Sequence, residues 1–429
     1  VEGVAAGRAG RIKAFAASTG WLVLGSVLAL LMVAHPYLAL WEYKGYSMRG
    51  GGEGGGGLAW DYAMNWSQGF GELVTLLVAG AYGGGGGSYW GPKVLGTAGP
   101  HYVGGIVVVL ALVALWRERR IAVYALGAGA GLMTLFSLGE NFALLNRLMF
   151  EVAPLFNAMR VPETWLAPVA FTLAVLAGLG VAYLAARAPS AEAEREKTRT
   201  AYVATGLVAA FVLVLFLGKG AFFSFEQPGQ AEMIARQIAA QNNVPLDDPR
   251  VTQTANQYVA GLVEERRELF DDDALRTLFF LLLAFGVLVA YRKAKLPAWG
   301  MTAALALLVV VDLWGVGRRY FNEDVLAPTE NIDRQIPAYG FDRFLVDRQR
   351  EAGGLGHFRV ASFEQGTPMQ VARPSYFFES VGGYSAAKLR LYQDFIEHLF
   401  LDEGTGLPDA KMLDLLNVRY LVAPGQLPG

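Results

Sequence analysis

The sequence contains no cysteine, which excludes disulfides and thiolate metal sites and leaves the redox compartment open. Charge is scarce as well. Asp, Glu, Lys and Arg make up 17% of the 429 residues, against about 25% in average soluble domains. What charge there is nearly cancels, at a formal net of −2, so no basic surplus exists for a phosphodiester backbone and nucleic acid is not a partner. Histidine is limited to His35, His101, His357 and His398. Their spacing makes no ligand set, so no cofactor is predicted and a divalent metal finds no support.

The chain is rich instead in apolar residues, 54% of the total, which points to lipid. Seven segments read as membrane helices by hydropathy and length: roughly Gly20–Leu40, Tyr102–Trp116, Ile121–Leu138, Trp165–Ala186, Ala201–Leu217, Leu275–Tyr291 and Trp299–Trp314. The connections alternate in charge. Arg8, Arg11 and Lys13 precede the first segment; Arg117, Arg119 and Arg120 follow the second; Arg187, Arg195, Lys197 and Arg199 follow the fourth; Arg292, Lys293 and Lys295 follow the sixth. The intervening connections carry acids such as Glu264, Glu265, Glu268 and Asp271 to Asp273. Basic short loops favour the cytoplasmic side. The expected protein is therefore mainly α: a polytopic membrane helix bundle of about seven spans over residues 1–317, its N-terminus cytoplasmic, with an extracytoplasmic α+β C-terminal domain over 318–429.

On this reading residues 41–101 and 218–274 are external loops. The first holds the glycine runs Gly50–Gly57 and Gly83–Gly87, read as flexible loops rather than phosphate cradles. It also holds Trp60, Asp61, Tyr62 and Trp66, followed by Glu72 and an apolar run to Tyr82. A helix over 70–82 would reach about 20 Å, short of a hydrocarbon core of about 30 Å. An interfacial or re-entrant helix is expected, with Trp60, Trp66 and Trp90 at headgroup depth. The second loop shows helical patterns near Ala231–Gln241 and Gln253–Phe270. In the tail, 357–361 reads as a strand and Ala386–Phe400 as an amphipathic helix with Leu389, Tyr392, Ile396 and Leu399 on one face.

Several strings occur in a telling order: Gly57-Leu-Ala-Trp-Asp-Tyr-Ala-Met-Asn-Trp-Ser, Ser88-Tyr-Trp-Gly91, Gly99-Pro-His-Tyr-Val-Gly104, Phe156-Asn-Ala-Met-Arg-Val-Pro162, Asp312-Leu-Trp-Gly-Val-Gly-Arg-Arg-Tyr320, Ser380-Val-Gly-Gly-Tyr-Ser-Ala-Ala-Lys-Leu-Arg-Leu-Tyr-Gln-Asp394 and Leu415-Leu-Asn-Val-Arg-Tyr420. As an ordered set, over about residues 40–422, they resemble the YfhO family of bacterial multi-spanning membrane proteins. That family is similar to the GT-C type of glycosyltransferase. The resemblance implies a protein of the bacterial cytoplasmic membrane that takes a sugar from a polyprenyl-phosphate lipid and adds it to an extracytoplasmic glycopolymer or glycolipid. In that fold the catalytic acid lies in the first external loop. Since this chain opens on Val1 and closes just after a strand-like 418–422, it is expected to be an internal piece that lacks that loop.

Among the acids present, Asp61 and Glu72 are the candidate catalytic carboxylates, because sugar transfer with inversion needs a base for the acceptor hydroxyl. The simpler alternative leaves Asp61 solvated and puts Glu72 at a helix N-terminus. Arg160, before Pro162 and the helix near Trp165, can hold a lipid phosphate; alternatively it pairs with Glu163 or snorkels to headgroups. His101 and Glu140, with Asn141 and Arg147, are expected to share one external pocket with it. In the tail, Tyr384, Lys388 and Arg390 are candidates for contact with an acidic or sugar partner, and Ser385 reads as the N-cap of the helix that follows. Gly127 to Gly131, small residues inside a membrane helix, are expected to let helices approach closely. Asp312, at the end of the last span, is expected to pair with Arg318 or Arg319. A protein of lipid or lipid-linked sugar translocation, or a membrane scaffold, would share these features without glycosyl chemistry.

Overall fold

A computed structural model describes residues 8–47, 58–84, 88–91, 100–153, 156–242, 244–326, 328, 336–364, 371–385, 388–401 and 408–423. The chain is mainly helical and falls into two compact units, residues 1–58 with 327–429, and residues 59–326. The run Gly50–Gly57 and residues 85–87 lie outside the described residues.

In the first unit, α1 (Arg8–Tyr46) is a single apolar helix whose described side chains are exposed along nearly its whole length. The second unit holds α2 (Trp60–Met64), α3 (Gly105–Arg117), α4 (Ile121–Ser137), α5 (Ala143–Val152), α6 (Leu166–Ala185), α7 (Ala191–Leu217), α8 (Lys219–Phe222), α9 (Gln230–Asn242), α10 (Pro249–Arg292) and α11 (Ala298–Gly317). Its core is built where α3, α6, α7, α10 and α11 meet, around Ile106, Leu110, Ala177, Leu184, Ala204, Val208, Leu281 and Leu305. The opposite faces stay apolar: Leu282 is 66% exposed, Leu307 63% and Trp299 76%. Helices that are greasy all round belong in lipid.

Among the described residues, five helices are long and apolar enough to cross a membrane: Ile12–Tyr46, Pro162–Ala185, Ala191–Leu217, Pro249–Arg292 and Ala298–Gly317. A sixth span arises only if Ile121–Ser137 and Gly139–Val152 act as one, for the two are bent by 116°. The described residues thus supply five to six candidate spans of a multi-pass membrane protein, and the expected count of seven is not established. All seven apolar segments do lie in helices, but α3 is only 13 residues long. At about 1.5 Å per residue it reaches roughly 20 Å, and most of its side chains are buried inside the unit.

Three further expectations change. No helix runs over 70–82. Gly71–Leu76 is a 3-10 helix followed by turns, and Val78 and Ala81 are fully buried beneath Phe223, Phe225 and Phe270. The apolar run there is core, not an interfacial helix. The pattern at 253–270 is not a separate external helix either: α10 continues unbroken through the span for 44 residues, about 66 Å. Asp248 starts it by accepting from the Arg250 N–H, with Pro249 in the first turn. Lastly, the tight helix contact is made by Gly180 rather than by the Gly127–Gly131 run. A Cβ on Gly180 would lie 2.0 Å from the Leu110 carbonyl, whereas Gly129 and Gly131 have open space. At Gly127 the neighbour is only the Leu115 side chain.

The two ends of the 59–326 unit differ in chemistry. At one end Arg117 bonds Glu196 at 2.6 Å and Tyr183 at 3.1 Å, Lys197 donates to the Ala186 carbonyl, and Tyr291 donates to the Leu184 carbonyl. The basic connections after α3, α6 and α10 thus share that end. The other end gathers residues 60–84, 100–104, 137–142, 160–165, 273 and 312–320.

In the first unit, α12 (Gly340–Glu351), α13 (Pro374–Phe377), α14 (Arg390–Phe395) and α15 (Ala410–Leu415) surround two short parallel strands, β1 (Arg359–Ser362) and β2 (Val418–Val422). With so little sheet, an α+β domain is not established. The buried Asp342 holds Arg373, whose guanidinium lies over the Tyr339 ring at 4.1 Å and the Phe377 ring at 4.9 Å. The helix expected over 386–400 is shorter. It starts at Arg390 after Leu389 and closes with a π-turn over Ile396–Phe400, so Ser385 does not cap it; residues 386 and 387 lie outside the described residues.

Candidate functional site

The short helix α2 presents Trp60, Asp61 and Tyr62 in one turn. The Arg160 guanidinium lies 4.4 Å from the centroids of both the Tyr62 and Trp66 rings, and its Nη1 donates to the Tyr62 hydroxyl at 2.7 Å. Its Nε–H is buried with no acceptor among the described residues, and no carboxylate there pairs with it. Trp66 and Val161 adopt φ of +66°, and the Val161 N–H bonds the Ala63 carbonyl, which pins the Arg160 loop onto α2. A second cation, Arg147, covers Trp60 at 5.0 Å, and Phe150 meets that indole edge-on at 5.4 Å. Asp61 is exposed beside this cation–aromatic cluster, with no hydrogen bond among the described residues.

The floor under α2 is the break between α4 and α5. Gly139 has φ +49°, and a Cβ there would meet the Ser67 hydroxyl at 2.0 Å. The Glu140 N–H donates to Ser67 Oγ at 2.9 Å, Gln68 N–H donates to the Ser137 carbonyl, and Asn141 donates to the Gln68 carbonyl. Buried Asn146 donates to the carbonyls of Leu135 and Phe142, tying the two arms of the bend together. Glu140 contributes its backbone to this joint and leaves its side chain exposed.

Glu72 is 2% exposed. One oxygen accepts from the Gly69 N–H at 2.7 Å and the other from the Tyr89 hydroxyl at 2.7 Å. It closes the 69–72 turn and does not face an acceptor. Trp90 is also not at the surface. It stacks on Tyr82 at 4.3 Å within the cluster of Phe223 and Phe225, and its indole N–H has no acceptor among the described residues. Burial, then the charge of Glu72, push the Tyr82 phenol up to about 12.

Glu163 faces His101 rather than Arg160. The His101 Nε2 to Glu163 Oε2 distance is 3.8 Å, with the carboxylate almost buried. Next along the chain, the Tyr102 hydroxyl donates to Asp312 at 2.8 Å, and burial followed by the Asp312 charge raises this phenol above its usual range. Asp312 pairs with Arg276, at 2.9 Å, and not with Arg318 or Arg319. Arg319 instead grips Asp273 through two bonds of 2.7 and 2.6 Å, while Gly80 donates to the same carboxylate. Sequence reasoning missed Arg276, and it named Asp273 and Glu163 without their actual partners. The available signal was an ionisable residue at the edge of an apolar run, which is costly in lipid unless paired.

The structure thus brings Trp60, Asp61, Trp66 and Arg160 together on one cluster, with Arg147 beside it. The 67–69 loop ties that cluster to Glu140, and Pro162 meets Gly139. Tyr384, Lys388 and Arg390 belong to the other unit, where Tyr384 is exposed and Arg390 pairs with Asp394 at 3.2 Å. Among the described residues no group of three His, Asp or Glu side chains is placed to hold a metal. No family model, curated protein or solved structure matches the chain.

Proposed function

We propose that this chain is a YfhO-like, GT-C-type membrane glycosyltransferase, working on a polyprenyl-phosphate sugar at the α2 end of the helix unit. The observation that carries the reading is Arg160: a half-buried guanidinium clamped between two rings, its charge offset by no described carboxylate. A cation so held, already stripped of part of its water, suits a phosphate oxyanion. In the transfer, the acceptor hydroxyl oxygen bonds the anomeric carbon as the carbon–oxygen bond to phosphate breaks. The proton passes to a carboxylate, and polyprenyl phosphate leaves with its negative charge on Arg160. Asp61, exposed, next to Tyr62 and without a hydrogen bond among the described residues, is a carboxylate placed to take that proton; Glu72 is committed to its turn. The basic end faces the cytoplasm on this reading, by the distribution of Arg and Lys in short connections, and the α2 end faces the outer side of a bacterial cytoplasmic membrane.

The test is lipid-dependent incorporation of a radiolabelled sugar from polyprenyl phosphate in membranes carrying the protein. Arg160→Ala should abolish incorporation while far-ultraviolet circular dichroism stays unchanged, and Arg160→Lys should recover only a small part. Incorporation that ignores both substitutions refutes the role of Arg160. A folded protein that transfers no sugar to any acceptor refutes the enzyme. The 116° break between α4 and α5 supports a second reading, since broken helices line substrate paths in translocating proteins. Movement of a fluorescent lipid-linked sugar across vesicles without incorporation would select it.

A further inference from the structure

The unit formed by residues 1–58 and 327–429 contains an open cleft of about 700 Å³ that no role above uses. The volume falls within the roughly 300–1,000 Å³ of small-ligand sites. The cleft is lined mainly by the 375–381 segment, with Arg359 at the start of β1 beside it; Val360 of β1 is bridged to residue 380, and Glu379 is fixed by the Gly356 N–H at 2.6 Å. Around it stand Arg359, Ser375, Tyr376, Glu379, Ser380 and Tyr392. We infer that this cleft binds an uncharged saccharide segment, the acceptor glycan if the transferase reading holds.

The argument is one of matched chemistry. Arg359 is exposed and carries no ion pair among the described residues, so its donors are open. Glu379 uses one oxygen on Gly356, and no described group occupies the other. The Ser380 hydroxyl accepts from the Gly382 N–H, which leaves its own proton to give. Tyr376 is 53% exposed and braced edge-on by Phe377 at 5.1 Å, so a ring face is presented without help from a ligand. Interleaved donors and acceptors beside an apolar ring suit hydroxyl groups, which both give and accept hydrogen bonds, and the C–H face of a sugar. A phosphate or carboxylate would meet Glu379 as well as Arg359. An extended peptide adding to β1 at the cleft would meet Val360 already bridged to residue 380.

The experiment uses the full chain in nanodiscs and saturation-transfer NMR with cellotriose, maltotriose and chitotriose, with glycerol 3-phosphate as the anionic probe and an alanine-rich pentapeptide as the peptide probe. At least one trisaccharide should bind. Tyr376→Ala and Arg359→Ala should each weaken it by about tenfold, the loss of one stacked ring or one charged hydrogen-bond donor. The inference is overturned if no trisaccharide binds the folded chain, if both variants bind unchanged, or if the anion or the peptide binds in preference. Trisaccharide binding that survives while lipid-dependent transfer is absent refutes the transferase reading and leaves the saccharide site standing.

Discussion

Replacing Arg266 by Met tests how the long helix α10 holds the loops above it. Arg266 is fully buried. It donates to the Phe225 carbonyl at 2.7 Å, the Ser88 carbonyl at 2.8 Å, the Gln230 side chain at 3.0 Å and the Tyr89 carbonyl at 3.3 Å. One side chain therefore ties α10 to the 88–89 segment, to the 225 turn and to the start of α9. Methionine fills much of the same space and donates nothing. Each buried acceptor left without a partner costs about 1–3 kcal/mol. The sum is reduced because a desolvated guanidinium also disappears, so the net loss should be about 3–5 kcal/mol. At ~2 °C per kcal/mol for a unit of this size, the midpoint of thermal unfolding should fall by roughly 6–10 °C. The assay is the monodisperse fraction of detergent-solubilised protein after heating, with limited proteolysis as a second readout. New cleavage should appear first near residues 225–230. Arg266→Lys should fall nearly as far, because a single ammonium cannot span three separate segments. A Met variant melting within about 2 °C of the parent would refute the claim that these bonds secure the loops.

Asp273→Asn, Arg319→Gln and the double variant should give a coupling of about 1–3 kcal/mol in thermal unfolding, since the bidentate pair is buried on the carboxylate side; additive effects would show that the pair contributes nothing of its own. Tyr82 gives a pH dependence. Its phenol rises from 10.0 to about 12 on folding, so the fold favours the neutral form. That contribution is complete below about pH 10 and is lost as pH climbs toward 12, because the unfolded chain ionises first. Tyr82→Phe should remove one late step from the ultraviolet titration of the tyrosines and flatten the alkaline fall in stability; an unchanged titration would contradict the burial of that hydroxyl.

How far the chain could be read in advance depended on the kind of signal. Apolar runs marked every long helix, because hydropathy is local and each run of Leu, Val and Ala needs only its own backbone to satisfy its hydrogen bonds. The same measure misled at Gly71–Leu76, where apolar residues are buried by protein and hydropathy cannot tell protein from lipid. It also left a break in α10 at residues 271–274, where three acids follow one another, although charged residues continue a helix without cost once it leaves the hydrocarbon. Around the candidate site, Trp60, Trp66 and Arg160 were legible as residue types, and Asp61 as a carboxylate among rings. Their meeting was not, since Arg160 reaches Tyr62 across 98 positions of chain.

Sequence alone determined a low-charge, cysteine-free, mainly helical membrane chain, because composition and period are properties of neighbouring residues. Tertiary structure decided which charges answer each other. Asp312 took Arg276 instead of the nearer Arg319, Glu163 took His101, and Glu72 and Trp90 were drawn inside. Pairing of that kind is set by distance in space and by the penalty for an uncompensated buried charge, and neither quantity is written in the order of the residues.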